Sequence, residues 1–288
     1  MVGALTLVPA TGTAATASAC NAPGRAPARY DHVIWIVMEN HRRDSVIGSP
    51  SAPFESAMAA QCGSADDYRT VGFPSLPNYL GMVTGSTQGV RDDGAPARHP
   101  ITADNLFRQV RAAGGTAHTY AEAMPASCTL TSSGRYAAKH NPAAYMQGGS
   151  DRRACARDNV PLGNLVDGAF ITALRAKSIA TFSLLKPDIC NDTHDCPVAT
   201  GDRWLRDWVG KITGSRLYAE GRTAVFIAWD ESTPMPFIAI APTIDRGTVT
   251  HVALDHYALL RTTEELLGVT THLGTAATAP SMRPLFGL

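Results

Sequence analysis

The chain has 288 residues, enough for one large domain or two small ones. Its 25 Lys+Arg balance 25 Asp+Glu, and without a basic excess a nucleic-acid partner is not expected. Hydrophobic residues make up 44%, so the chain can build a sizeable core and global disorder is excluded.

Residues 1–19 are small and apolar, carry no charge, and end in Ala17-Ser18-Ala19, which matches the A-x-A cleavage site of a secretory leader. This predicts removal of 1–19, a mature chain of 20–288 and a secreted location. No later stretch reaches ~18 consecutive apolar residues, so no stable membrane insertion is expected. The cysteines Cys20, Cys62, Cys128, Cys155, Cys190 and Cys196 suit an oxidising compartment. Their number leaves the connectivity open. Nearest-neighbour pairing, 20–62, 128–155 and 190–196, is the simplest expectation. No C-x-x-C pair argues for zinc.

Residues 32–38 form a nearly continuous apolar run, the pattern of a strand buried on both faces of a parallel sheet. The run ends abruptly in Glu39-Asn40-His41. Residues 53–60 predict a short helix. In Phe73-Pro74-Ser75-Leu76-Pro77, Ser75 is a suitable N-cap and Pro77 fits a first helical turn, with the helix closing near Thr84-Gly85. By itself this stretch makes Ser75 a capping residue, although a hydroxyl at a helix N-terminus also stands where backbone N–H groups favour an anion.

Residues 102–113 predict a helix and 116–121 a strand. Residues 125–157 read as a long ordered excursion carrying His140, of the length that often serves binding. A helix over 163–177 and a buried strand over 179–185 lead into Asn191-Asp192-Thr193-His194-Asp195, bracketed by Cys190 and Cys196. An amphipathic helix over 202–218 precedes a third buried strand at 223–229, which ends in Asp230-Glu231. A fourth run covers 237–241, and 251–268 becomes helical around His256. The tail after His272 reads as irregular. Buried strands alternating with amphipathic helices predict an α/β fold with a mainly parallel sheet in one domain.

Strand ends in a parallel sheet share an edge, so Glu39, Asn40, Asp230 and Glu231 can converge on Ser75. Their hard oxygens suit a divalent cation, which would lower the serine's pKa. His194 or His256 could protonate a leaving oxygen. The set favours phosphoryl or sulfuryl transfer. A G-x-S-x-G elbow and a P-loop are both missing, which weakens acyl transfer and P-loop NTPase chemistry. Against this stand structural readings: His194 and Asp195 as surface polarity, His256 as a helix-start residue, His140 as core.

Residues 32–48, the Pro74–Tyr79 turn, residues 191–195, Ala228-Trp229-Asp230-Glu231 and Asp255-His256-Tyr257 occur in that order. Together they resemble the bacterial phosphoesterase family of secreted acid phosphatases and phospholipases C. The length is similar to that of the short acid phosphatases, some of which act on phosphoinositides. The resemblance implies an alkaline-phosphatase-like α/β fold, with a mainly parallel central sheet flanked by helices. It implies a Ser75 nucleophile forming a phosphoseryl intermediate, and one divalent metal ion on Glu39, Asn40, Asp230 and Glu231. His194, Asp195 and His256 would assist proton transfer, and Asn78, His140 and Asn191 would hold the phosphate. Phe73 stands where such relatives tend to carry a histidine. The expected substrates are small-molecule or lipid phosphate monoesters and the expected state is a monomer. The alternatives are a phospholipase C-type phosphodiesterase and a non-catalytic phosphate-ester-binding protein.

Overall fold

The computed structural model describes residues 18–288, so most of the expected leader lies outside the described residues. Among the described residues there are ten strands: β1 (His32–Met38), β2 (Gly63–Ala65), β3 (Tyr68–Arg69), β4 (Ala117–Ala121), β5 (Asn159–Pro161), β6 (Phe182–Lys186), β7 (Thr223–Trp229), β8 (Phe237–Ile240), β9 (Thr248–Thr250) and β10 (Leu254–Asp255). Eight form one sheet in the order β5-β4-β6-β1-β7-β8-β2-β9, and β10 pairs with β3 apart from it. The segment from β5 to β7 is parallel throughout. β8 runs antiparallel to both β7 and β2.

The apolar runs occupy the centre. β7 is buried along its whole length and β1 at every residue but His32. The β1–β7 register places Met38 beside Trp229, so Glu39 and Asp230 leave the sheet side by side. Lys186 ends β6 on the other flank of β1. The α/β expectation with a mainly parallel sheet is therefore met, and the three polar clusters do open from one edge.

Helix Ser75–Thr84 is buried at all ten positions. Its terminator is Gly85, at φ 70°. A Cβ there would lie 2.0 Å from the Leu273 carbonyl oxygen, so both the left-handed backbone and the close approach require glycine. Several predicted elements are shorter than expected. The helix over 163–177 is Ala169–Arg175, because Gly163 and Gly168 both take positive φ in the turn before it. The helix over 202–218 is Val198–Thr213, followed by a separate turn at Arg216–Ala219. The 125–157 excursion is ordered by the Cys128–Cys155 bridge and contains helix Asp151–Asp158. The other bridges are Cys20–Cys62 and Cys190–Cys196, so all three pairs follow nearest-neighbour order. The short strands β2, β5 and β9 had no apolar run to announce them.

Glu55 in helix Pro53–Gln61 is fully buried against Asp202 of helix Val198–Thr213, and neither of its carboxyl oxygens has a partner. Asp202 Oδ1 accepts from the Glu55 backbone N–H at 2.9 Å. Burial, reinforced by the Asp202 charge, pushes Glu55 up to about 9 from its usual 4.5. Folded Glu55 therefore keeps its proton where unfolded Glu55 ionises. This favours the fold fully below 4.5, and the contribution drains away as pH rises towards about 9. Melting temperature should fall across this window, with a slope of up to about 1.4 kcal/mol of stability per pH unit. Glu55→Gln should flatten the curve measured by thermal melts. An unchanged slope would show that Glu55 does not carry it.

Candidate active site

The sheet edge delivers Glu39, Lys186 and Asp230 to one place, and all three are buried. The helix Ser75–Thr84 then sets its first residue against Glu39. Ser75 was read from sequence as an N-cap, but the cap position belongs to Pro74 and Ser75 is already helical. Its hydroxyl donates to Glu39 Oε2 at 3.3 Å. The Leu76 N–H beside it is taken by Asp93 Oδ1 at 3.0 Å, so an aspartate from the following loop caps this helix end.

The other oxygen of Glu39 is crowded. Tyr79, one helical turn after Ser75, donates its hydroxyl to Oε1. Lys186 Nζ lies 3.2 Å from the same oxygen and 2.7 Å from Asp192 Oδ2, and donates to the Val37 carbonyl at 3.1 Å. The ammonium thus fills its three donor positions. Burial pulls its pKa down, but Asp192 and Glu39 outweigh this and hold it above the usual lysine value. Asp192, for its part, stays below the usual carboxylate range: burial raises it, and Lys186 and His140 more than reverse the effect. His140 closes the ring. Its Nε2 is 3.4 Å from Glu39 Oε1 and its Nδ1 3.3 Å from Asp192 Oδ2, with its face stacked on Tyr79. Burial depresses the imidazole below its usual value.

The loop bearing Asp192 is fastened to this centre. Glu39 N–H donates to the Asp192 carbonyl and Thr193 Oγ1 to the Glu39 carbonyl. The Cys190–Cys196 bridge closes the loop. His194 stands partly exposed at its tip, with Nδ1 2.6 Å from Asp195 Oδ1, which leaves Nε2 as the nitrogen available to the site.

Three expected site residues have other work. Asn78 Oδ1 accepts from Thr70 Oγ1, Val71 N and Gly72 N, and its Nδ2 donates to the Gly72 and Pro74 carbonyls. Its whole amide holds the 70–74 turn and none is left for a phosphate. Asn191 Nδ2 donates to Glu122 Oε2 at 2.9 Å, shaping the disulfide loop instead. His256 is fully buried; its Nε2 meets the Asp230 carbonyl at 2.7 Å and its Nδ1 the Tyr68 hydroxyl at 2.9 Å. Burial pushes it down to about 4. It anchors the backbone under Asp230 and has no nitrogen free to protonate a leaving group.

The fit to a cation can be read from the carboxylates. Asp230 Oδ1 accepts from the Asn40 N–H at 3.1 Å, while the buried Asp230 Oδ2 and Glu231 Oε2 have no partner. Burial and the Asp230 charge push Glu39 up to about 7. Burial and Glu231 push Asp230 up to about 6, and burial and Glu39 push Glu231 up to about 7. Orphaned hard oxygens that retain protons near neutrality suit a divalent cation. Glu39 also groups with His140 and His194, one ligand atom from each lying within 4.8 Å of the others. A cation therefore fits at Glu39 with His140 and His194, while Asp230 and Glu231, coupled to Glu39 through their charges, offer further unpartnered oxygens.

Comparison with known proteins bears on the same region. The sequence model described as "Phosphoesterase family" matches residues 50–235. A phosphatidylinositol-3-phosphatase of Mycobacterium tuberculosis is 29% identical over 265 residues, covering 90% of this chain and 83% of that protein. An acid phosphatase of Aspergillus fumigatus is 26% identical over 185 residues, covering 60% of this chain and only 39% of its own length. Among solved structures, a protein of the alkaline phosphatase superfamily from Vibrio parahaemolyticus superposes with TM-score 0.58 at 11% identity, covering 90% of this chain and 72% of that one. That likeness gives the fold: the sheet is of the alkaline phosphatase kind.

Adding a divalent cation to chelator-treated protein should raise the melting temperature, since a ligand at ~100 times its Kd adds about 2.7 kcal/mol. Asp230→Asn, with one oxygen fewer able to bear charge, should remove most of that gain. An equal shift in the variant would place the ion elsewhere.

Proposed function

The chain belongs to the phosphoesterase family and is a phosphoric ester hydrolase, and on that basis we propose that it is an exported phosphomonoesterase with Ser75 as nucleophile. The observation that carries this reading is the direction of the Ser75 hydroxyl, which faces Glu39 Oε2 at 3.3 Å instead of capping its own helix. In the proposed reaction the Ser75 proton passes to Glu39 and an Oγ–P bond forms as the ester P–O bond breaks. The alcohol leaves with a proton from His194 Nε2, the ring held by Asp195. Water then gives a proton back to His194 and attacks phosphorus. The P–Oγ bond breaks, Ser75 recovers its proton from Glu39, and inorganic phosphate departs.

Tyr79 and Lys186 keep Glu39 Oε1 occupied, so that Oε2 is the oxygen turned to Ser75. A divalent cation held by Glu39, Asn40, Asp230 and Glu231 would lower the serine's pKa and offset charge on the phosphoryl oxygens when bound. Three disulfides and the apolar 1–19 leader support export of a single phosphoesterase domain spanning 20–288. Among the described residues no helix is long and apolar enough to cross a membrane. The natural ester is a small-molecule or lipid phosphate; the name of the mycobacterial relative makes phosphoinositides the first to assay.

Ser75→Ala should lower kcat on p-nitrophenyl phosphate by at least ~10³-fold with an unchanged circular dichroism spectrum. Retained turnover in the folded variant would remove Ser75 from the reaction. In the unmodified chain, a clear preference for bis-p-nitrophenyl phosphate over the monoester would replace this reading with a phosphodiesterase of phospholipase C type. Binding of phosphate esters without turnover would leave a binding protein.

A further inference from the structure

Phe73 is 77% exposed, more than any other large apolar side chain among the described residues. An isolated exposed apolar residue needs no explanation in general. Three features set this one apart. It stands two residues before Ser75 in the chain. Its turn is immobilised from both sides: Asn78 makes five hydrogen bonds to residues 70–74, and Thr70 N–H donates to Thr233 Oγ1, just past Glu231, at 3.0 Å. Gly72 is packed so closely on Pro77 that a Cβ would lie 2.8 Å from the proline Cβ. The fold thus holds one phenyl ring in water two residues before Ser75 in the chain, on a backbone with little freedom to retract it.

In-line displacement puts the leaving oxygen opposite the attacking Oγ. Ser75 faces buried Glu39, with buried Lys186 on that carboxylate's other oxygen, so the alcohol part of a substrate must extend outward across the rim. We propose that Phe73 is the leaving-group subsite of this enzyme, its ring covering the apolar face of the alcohol. The substrates it favours are monophosphates of aryl or other apolar-faced alcohols, over those of small polyols. This rests on the phosphomonoesterase reading of Ser75 and adds the substrate class to it.

The test is the ratio of kcat/KM for 1-naphthyl phosphate to kcat/KM for glycerol 2-phosphate, measured on one preparation of each protein so that any unfolded fraction cancels. Loss of an aromatic contact predicts that the ratio falls on the order of 5- to 20-fold in Phe73→Ala, through KM for the aryl ester, with partial recovery in Phe73→Leu. An unchanged ratio, whether both esters decline together or neither does, would overturn the assignment while leaving the phosphatase reading intact. If the unmodified chain hydrolyses neither ester, the phosphatase reading falls and the subsite falls with it.

Discussion

Glu39 and Asp230 leave neighbouring parallel strands side by side and are both wholly buried. Two carboxylates in such proximity repel each other, and burial makes each ionised form less favourable still. Much of the surrounding architecture answers that constraint. Lys186 places a buried positive charge on the far flank of β1, and Asp192 balances it in turn. His256 fixes the carbonyl of Asp230 from below, and the Asn40 N–H takes one of its carboxylate oxygens. Asp230 Oδ2, Glu231 Oε2 and both ring nitrogens of His140 are left without a hydrogen-bond partner, and these are donor atoms that a cation could use.

The Ser75 hydroxyl is brought to this cluster by a helix buried at all ten positions, and so cannot easily shift. Its N-terminus is held by Asp93, and Asp93 Oδ2 in turn takes Lys139 Nζ at 2.8 Å, next in the chain to His140. The disulfide loop is tied to the Glu39 backbone by two hydrogen bonds, the Glu39 N–H donating to the Asp192 carbonyl and the Thr193 hydroxyl to the Glu39 carbonyl. Strand ends, helix start and loop therefore converge on a single carboxylate, Glu39. A site built on rigid elements in this way suits chemistry that depends mainly on positioning and charge.

The strands and the polar clusters that end them were legible because apolar runs of seven residues stop at charged ones; β7 occupies the very residues expected of it, 223–229. The short strands β2, β5 and β9 were not, since three residues carry no periodicity. Among site residues, Glu39, Asp230, Glu231, Ser75, His140 and His194 gather where chain order suggested. Lys186 was missed because the apolar run was read as stopping at Leu185; the signal was a lone lysine at the end of a buried strand. Tyr79 was missed because an aromatic in an apolar helix ordinarily reads as core. Asp192 was within the recognised cluster, but its role depends on Lys186, which lies six residues earlier and on another element. Asn78, Asn191 and His256 make hydrogen bonds within the fold that chain order could not show: sequence shows that a polar group is present, and only the fold shows which of its hydrogen bonds are already spent.

The central claim is covalent catalysis at Ser75, and the most direct measurement is acid-quenched trapping. The full chain would be mixed with a phosphate monoester, quenched in acid within the first turnovers, digested and mapped by mass spectrometry. The account predicts a phosphoryl group on Ser75, absent from protein quenched without substrate. Turnover that leaves Ser75 unmodified at every quench time, together with inversion of configuration at a chiral phosphorus, would contradict it and point to direct attack by water.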